Sequence, residues 1–251
     1  MMRATAFEFR FRFWLMVAVI FVGFWSPWIE WVPEWLHLGT RGTAWLWLGF
    51  QLGGLGVAAG TAIELVTIAA IVLAALAAWL RIWGTAYLGP ATVLNTQMQA
   101  GKVMADGPYR RMRNPLYVGS FFMVAAIALL MPASGAAVTL VILAVFLLRL
   151  ILAEETFLSR QIGPLYDAYR RAVPRLVPSI FPRAEAGGNR PHWGRAIVNE
   201  ITPLGVLVSF AALSWQYNAG LLTRAVLISF GLSLVVRALT MPRDGAATPA
   251  A

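Results

Sequence analysis

From Ile63 to Trp83 the chain carries two charged residues, Glu64 and Arg81, and no proline. A run of this kind is long enough for a membrane helix, which needs about 17–25 mainly apolar residues. Six further runs have the same character: Phe13 to Trp28, Trp45 to Gly60, Leu116 to Met131, Gly135 to Leu152, Ala196 to Trp215 and Leu221 to Val236. The chain as a whole is 59% hydrophobic and 12% charged over 251 residues, too apolar for a water-soluble domain. The expected fold is all-α, a polytopic bundle of about seven transmembrane helices, with six as the alternative because the first run is short and the second rich in glycine. Turns at MPASG and QYNAG make helical hairpins of the fourth and fifth runs and of the last two.

Composition narrows the chemistry. With no Cys, disulfides, thiolate metal sites and a Cys nucleophile are out of reach, and His37 and His192 are too few and too scattered for zinc. The net charge of +9 does not point to nucleic acid, because the arginines flank apolar runs instead of forming a soluble basic module. Arg3, Arg10 and Arg12 before an apolar run imitate a signal peptide, but FWSPWIEW supplies no small-residue cleavage site, so the segment reads as retained. Basic residues are kept on the cytoplasmic side. That rule places Arg81 to Arg113 and the arginines from Arg160 to Arg195 inside; counting back through three crossings then puts the amino terminus outside, against its own three arginines. The GGLG sequence lacks the Lys-Ser/Thr of a phosphate loop. The spacing of Gly49 with Gly53, and of Gly56 with Gly60, predicts close helix packing.

Two polar segments interrupt the apolar pattern. In DGPYRRMRNPLYVG, Asp106 stands at a helix start, Pro108 in its first turn, and Pro115 disfavours a helical Asn114. The break holds Arg113 and Asn114 where the next span enters the bilayer, and irregular backbone at that depth is tolerated only in protein or beside a polar cavity. The second segment, FLLRLILAEETFLSRQIGPLYDAYRRAVPRLVP, puts Arg149, Glu154 and Glu155 at the end of an apolar helix. Ionisable groups there usually face a cavity or a partner. Glu154 and Glu155 point about 100° apart, so they serve different directions. Tyr166, Tyr169 and Arg170 share one face of a short interfacial helix.

These pieces resemble, in order, the membrane methyltransferases that include isoprenylcysteine carboxyl methyltransferase and the phospholipid methyltransferases: GPY, RNP-x-Y-x-G, a helical hairpin, EE-x-x-L, G-x-x-Y-x-x-Y and V-P-x-x-x-P between Gly107 and Pro178. The resemblance implies S-adenosylmethionine as methyl donor, with Tyr109, Arg113, Asn114, Tyr117, Glu154, Glu155, Tyr166 and Tyr169 lining its pocket. It implies catalytic roles for Arg149 and Glu154, Arg149 lying near the acceptor. Asn114 stands where the carboxyl methyltransferases have His, so it can hydrogen-bond but not titrate. The implied acceptor is a lipophilic or membrane-embedded molecule, a carboxylate in preference to an amine, and the implied setting is a prokaryotic cytoplasmic membrane with the site facing the cytoplasm. Competing readings are an NADPH-dependent membrane reductase of the sterol type and a non-enzymatic lipid-binding scaffold. The expected organisation is amino-terminal helices over 1–83, a methyltransferase core over 84–182, a helical hairpin over 183–240 and a disordered tail from 241.

Overall fold

The computed structural model describes residues 3–25, 42–88 and 105–240. Ten α-helices form among them: α1 (Ala6–Arg10), α2 (Arg12–Phe24), α3 (Ala44–Gly54), α4 (Ala59–Tyr87), α5 (Pro115–Ala128), α6 (Ala133–Ile162), α7 (Pro164–Ala172), α8 (Trp193–Asn199), α9 (Ile201–Leu213) and α10 (Ala219–Thr240). Two short 3-10 turns, Gly107–Arg110 and Ser214–Gln216, complete the regular structure, and no strand forms among the described residues. The all-α membrane fold is therefore as the sequence indicates. His37, Lys102 and the tail from 241 lie outside the described residues.

The described helices do not by themselves make up seven crossings. Among the described helices α4, α6 and α10 are long and apolar enough to span a bilayer, and α8 with α9 makes a fourth if that pair, bent by 73°, is one span. Helices α2 and α5 are apolar but shorter, and the end of the first expected crossing, Trp28, is beyond the described residues. The second expected crossing breaks before its end, between Gly54 and Ala59. Helix α3 has 11 residues; at 1.5 Å per residue it is about 16 Å long, half of an apolar core about 30 Å thick. The chain turns through Gly56 at φ 92° and starts α4. An apolar average cannot register a turn made of leucine, glycine and valine.

Helix α3 is held at its start. Thr43 caps it by accepting the Leu46 N–H at 3.3 Å, while the Ala44 and Trp45 N–H groups donate to the carbonyls of Met131 and Leu129 in the α5–α6 turn. The Trp45 indole donates to Thr67 of α4 at 3.1 Å. Orphan donors at a helix start are thereby satisfied without water.

Helix α4 is the scaffold. Ala62, Val66, Ala70, Ala74 and Ala78 recur at four-residue intervals and are buried, a stripe that brings neighbouring backbones close. Leu65, Ile68, Val72, Leu76 and Trp79 are exposed, as suits the outer face of a membrane helix. The close approach of α4 and α5 rests on glycines other than the anticipated pair of motifs. A Cβ on Gly119 would lie 3.2 Å from the Ala77 carbonyl oxygen and 2.7 Å from Arg81 Cγ, and one on Gly84 would lie 2.8 Å from Leu116. Of the anticipated set only Gly49 meets a neighbour, Ile63; Gly53, Gly56 and Gly60 have nothing within 4 Å.

Helix α6 buries Thr139, Leu143, Leu147, Leu150, Ile151, Glu155 and Leu158 along one stripe. The stripe includes Glu155 and leaves Glu154 turned to the side, as the helical geometry requires. After α7 the chain has no helix until Trp193, and this irregular strap folds back across the Gly107–Arg113 segment. Ser179 and Arg183 donate backbone N–H groups to the carbonyls of Arg111 and Arg110, and His192 donates to that of Ala86. Where the strap ends, Glu200 sits at the break between α8 and α9.

Candidate functional site

Three separated pieces of chain meet at the carboxylate of Glu155. Pro115 opens α5 and leaves Asn114 non-helical at φ −126°, ψ 53°, so Arg113 and Asn114 sit at the mouth of the helix. The Arg113 N–H donates to the carbonyl of Pro174 in the strap at 2.9 Å. Its guanidinium Nη1 lies 2.9 Å from Glu155 Oε1. From the strap, Arg175 binds both oxygens of Glu155 through Nε and Nη2, at 2.9–3.2 Å. Asn114 Nδ2 donates to Glu155 at 3.4 Å and to the Arg175 carbonyl at 3.2 Å. Glu155 is 3% exposed, and a buried carboxylate of this kind is sustainable only with such partners.

Arg113 is less well satisfied than Glu155. Its side chain is 9% exposed, and its Nε is buried without a hydrogen-bond partner. A buried donor left unpaired costs about 1–3 kcal/mol, more for a charged group, and this guanidinium keeps donor capacity that the described residues do not use.

Glu154 lies around the helix from Glu155 and accepts the Tyr117 hydroxyl at 2.8 Å, its only hydrogen bond among the described residues. Arg12 of α2 lies within electrostatic reach of both groups. Tyr169 donates to the Tyr109 carbonyl at 2.8 Å, tying α7 to the 3-10 turn, and its ring lies 5.9 Å from that of Tyr166. Burial raises the phenol pKa of Tyr109 and Tyr169 well above the ordinary value and pushes Tyr166 up to about 12. All three stay neutral and serve as walls or hydrogen-bond donors.

Thus Tyr109, Arg113, Asn114, Tyr117, Glu154, Glu155, Tyr166 and Tyr169 gather at one end of the α5–α6 hairpin. Arg149 is set apart, lower on α6. Its Nε and Nη2 hold the Glu8 carboxylate at 3.2 and 2.8 Å, and its carbonyl accepts the Ala4 N–H. The Thr5–Glu8 capping box fixes α1 there. The Arg149 guanidinium, first, and the Thr5 N–H hold the Glu8 carboxyl down to about 2.

The sequence did not single out Arg175, Glu8 or Arg12 for the site. Arg175 had one signal: a lone arginine between two prolines in VPRLVP. Among the described residues no three His, Cys, Asp or Glu side chains assemble as a metal site would require.

Asp106 shows how the strap is locked. Its side chain does not cap the 3-10 turn; it accepts the N–H groups of Gly187, Gly188 and Asn189 and the Asn189 side-chain amide, at 2.8–3.3 Å. Burial pushes the carboxyl pKa up, but these donors outweigh it and hold the group below its ordinary value. A depressed carboxylate contributes stability above its unfolded pKa and loses it as pH falls through the folded one. Acidification should therefore begin to weaken the lock below about 4 and release the strap only once the pH has fallen through the lower, folded pKa of Asp106. Asp106→Asn should release it at neutral pH, losing about 1–3 kcal/mol locally, read as faster hydrogen exchange at Gly187–Asn189. Unchanged exchange would remove Asp106 as the lock.

The phospholipid methyltransferase family model matches residues 65–164, in agreement with the resemblance carried by the motifs. The match takes in α5, α6, Arg113 and both glutamates but stops before Tyr166, Tyr169 and Arg175. No curated protein and no solved structure matches the chain.

Proposed function

Starting from a phospholipid methyltransferase match that contains Arg113, Glu154 and Glu155, we propose that this integral membrane protein moves a methyl group from S-adenosylmethionine to a lipophilic or membrane-embedded acceptor. The observation that carries this reading is the buried Arg113 guanidinium, paired with Glu155 yet with an unpaired Nε. The donor has a carboxylate, an ammonium and a ribose diol. Arg113 suits the first, and Glu154, with one hydrogen bond, retains acceptor capacity for the others. Glu155 positions Arg113 and Arg175 and so shapes the cradle. Tyr109, Tyr166 and Tyr169 supply aromatic surface for the base, and Asn114 holds strap and helix together.

When bound, S-adenosylmethionine supplies a methyl group on a sulfonium, open to in-line attack. The chain's part is to position both reactants and exclude water. A carboxylate acceptor needs no proton removed, which suits a site where Asn114 cannot titrate. A protonated amine would need a base, and Glu154 is the available group. In this reading Arg149, with Glu8, serves the acceptor side, and the rule that keeps basic residues inside supports a donor opening toward the cytoplasm, on the side of the Arg-rich strap.

Calorimetric titration of the purified protein with S-adenosylhomocysteine and with NADPH tests the donor. Homocysteine-ligand binding without NADPH binding is expected; the reverse would establish the reductase reading instead. Incubation with radiolabelled donor and lipid extract tests the acceptor. Label released by alkali as methanol is expected from a methyl ester, whereas alkali-stable label would replace the carboxylate with an amine.

A further inference from the structure

The strap carries a feature that methyl transfer does not use. Val177, Ile180 and Phe181 lie within five residues of one another and are 75%, 80% and 72% exposed. They are not on a spanning helix, where such exposure is ordinary. They form the tip of the irregular segment beyond Arg175.

The backbone of this tip is turned inward. Ser179 N–H donates to the Arg111 carbonyl, Arg183 N–H to that of Arg110, and Arg110 Nε to the Ala184 carbonyl, at 2.7–2.9 Å. Arg111 Nη1 also donates to the carbonyls of Ser179 and Ile180. Pro178 and Pro182 have no N–H to satisfy. Polar backbone groups that would resist transfer from water are largely paired with the 110–111 segment, while most of the surface of the apolar side chains is uncovered. The surroundings are basic: Arg160, Arg170, Arg171, Arg175, Arg183, Arg190 and Arg195 against Asp167 and Glu185 between residues 160 and 195.

We propose that Val177, Ile180 and Phe181 are an interfacial wedge, inserted at headgroup and upper acyl level into an anionic leaflet, with the surrounding arginines on the lipid phosphates. Apolar side chains beside arginines are what binds a segment to a charged bilayer surface. Three side chains fall far short of the ~800 Å² per partner of a stable protein interface, which argues against a protein occupant. The strap leaves α7, which follows the end of α6, and Phe157 of α6 and Leu165 of α7 are also exposed, so apolar exposure in this stretch of chain is not confined to the wedge. The inference does not depend on which cofactor the site binds.

The chain contains no cysteine, so one introduced thiol can be labelled alone. Ile180→Cys, and Phe181→Cys as a second position, carry bimane in nanodiscs of phosphatidylcholine with phosphatidylglycerol; Ala186→Cys, on the polar part of the strap, is the control. Nitroxide placed high on the lipid acyl chain should quench labels at 180 and 181 roughly threefold or more over the control, and aqueous iodide should do the opposite. Quenching by the lipid should fall when phosphatidylglycerol is omitted. Iodide access at 180 and 181 equal to the control would overturn the wedge, as would protection from both quenchers, the mark of a protein contact. Equal lipid quenching with and without phosphatidylglycerol would overturn the anionic leaflet as its partner.

Discussion

Arg113→Ala is expected to weaken S-adenosylhomocysteine binding by about two orders of magnitude, because truncating a buried charge that pairs with a ligand carboxylate typically costs 2–5 kcal/mol. The chain should still fold. Glu155 retains Arg175 through three hydrogen bonds and Asn114 through one, so removing Arg113 does not strand a carboxylate. Arg175→Ala is the informative comparison. Its side chain is 40% exposed against 9% for Arg113, and an exposed guanidinium is screened by water; a loss below about tenfold is expected. Calorimetry on both variants reads the difference. Unchanged binding in Arg113→Ala would refute the pocket, and equal losses would make the strap rather than the buried arginine its dominant element.

The largest effect on stability is expected at Glu200. This carboxylate is 4% exposed and accepts Arg81 Nε at 2.6 Å, Arg81 Nη2 at 3.1 Å and the Thr85 hydroxyl at 2.6 Å; Arg81 in turn reaches Ser120 of α5 at 2.6 Å. The pair joins the break between α8 and α9 to α4 and α5. Glu200→Ala leaves the Arg81 guanidinium in the bundle with no counter-charge, a change worth about 3–5 kcal/mol. In a chain of this size that corresponds to a fall in Tm of roughly 10 °C, read by thermal unfolding. Removing both charges, Arg81→Met with Glu200→Leu, should recover most of the loss, since apolar pairs often replace buried ion pairs without penalty. A double variant no more stable than Glu200→Ala would mean that the pair acts through geometry and not charge.

Much of the site was legible because its parts are local. The proline after Asn114 marked a break at a helix mouth, and two adjacent acids at the end of an apolar helix marked a second polar patch. Their different roles followed from 100° of helix rotation: Glu155 joined the buried stripe and Glu154 turned to Tyr117. What remained hidden was set by long-range closure. Nothing local to Arg175 shows that it returns to Glu155, nor that Glu8 reaches Arg149 across 141 positions. The fold class was legible from apolar length, whereas the break after α3 was not, because hydropathy does not distinguish a helix that continues through glycine and leucine from one that turns there.

The spacing of the ion pairs also orders the protein's own assembly. Arg113 and Glu155 are both made before the strap, so α5 and α6 can settle together with one pair in place. Asp106 then waits 83 residues for Asn189, and Arg81 waits 119 for Glu200. Until residue 200 has left the ribosome, α4 carries a cation without its anion. A nascent chain stopped short of the last helices would thus expose an unpaired arginine within its membrane bundle, a signature by which quality-control proteases could tell an unfinished copy from a complete one.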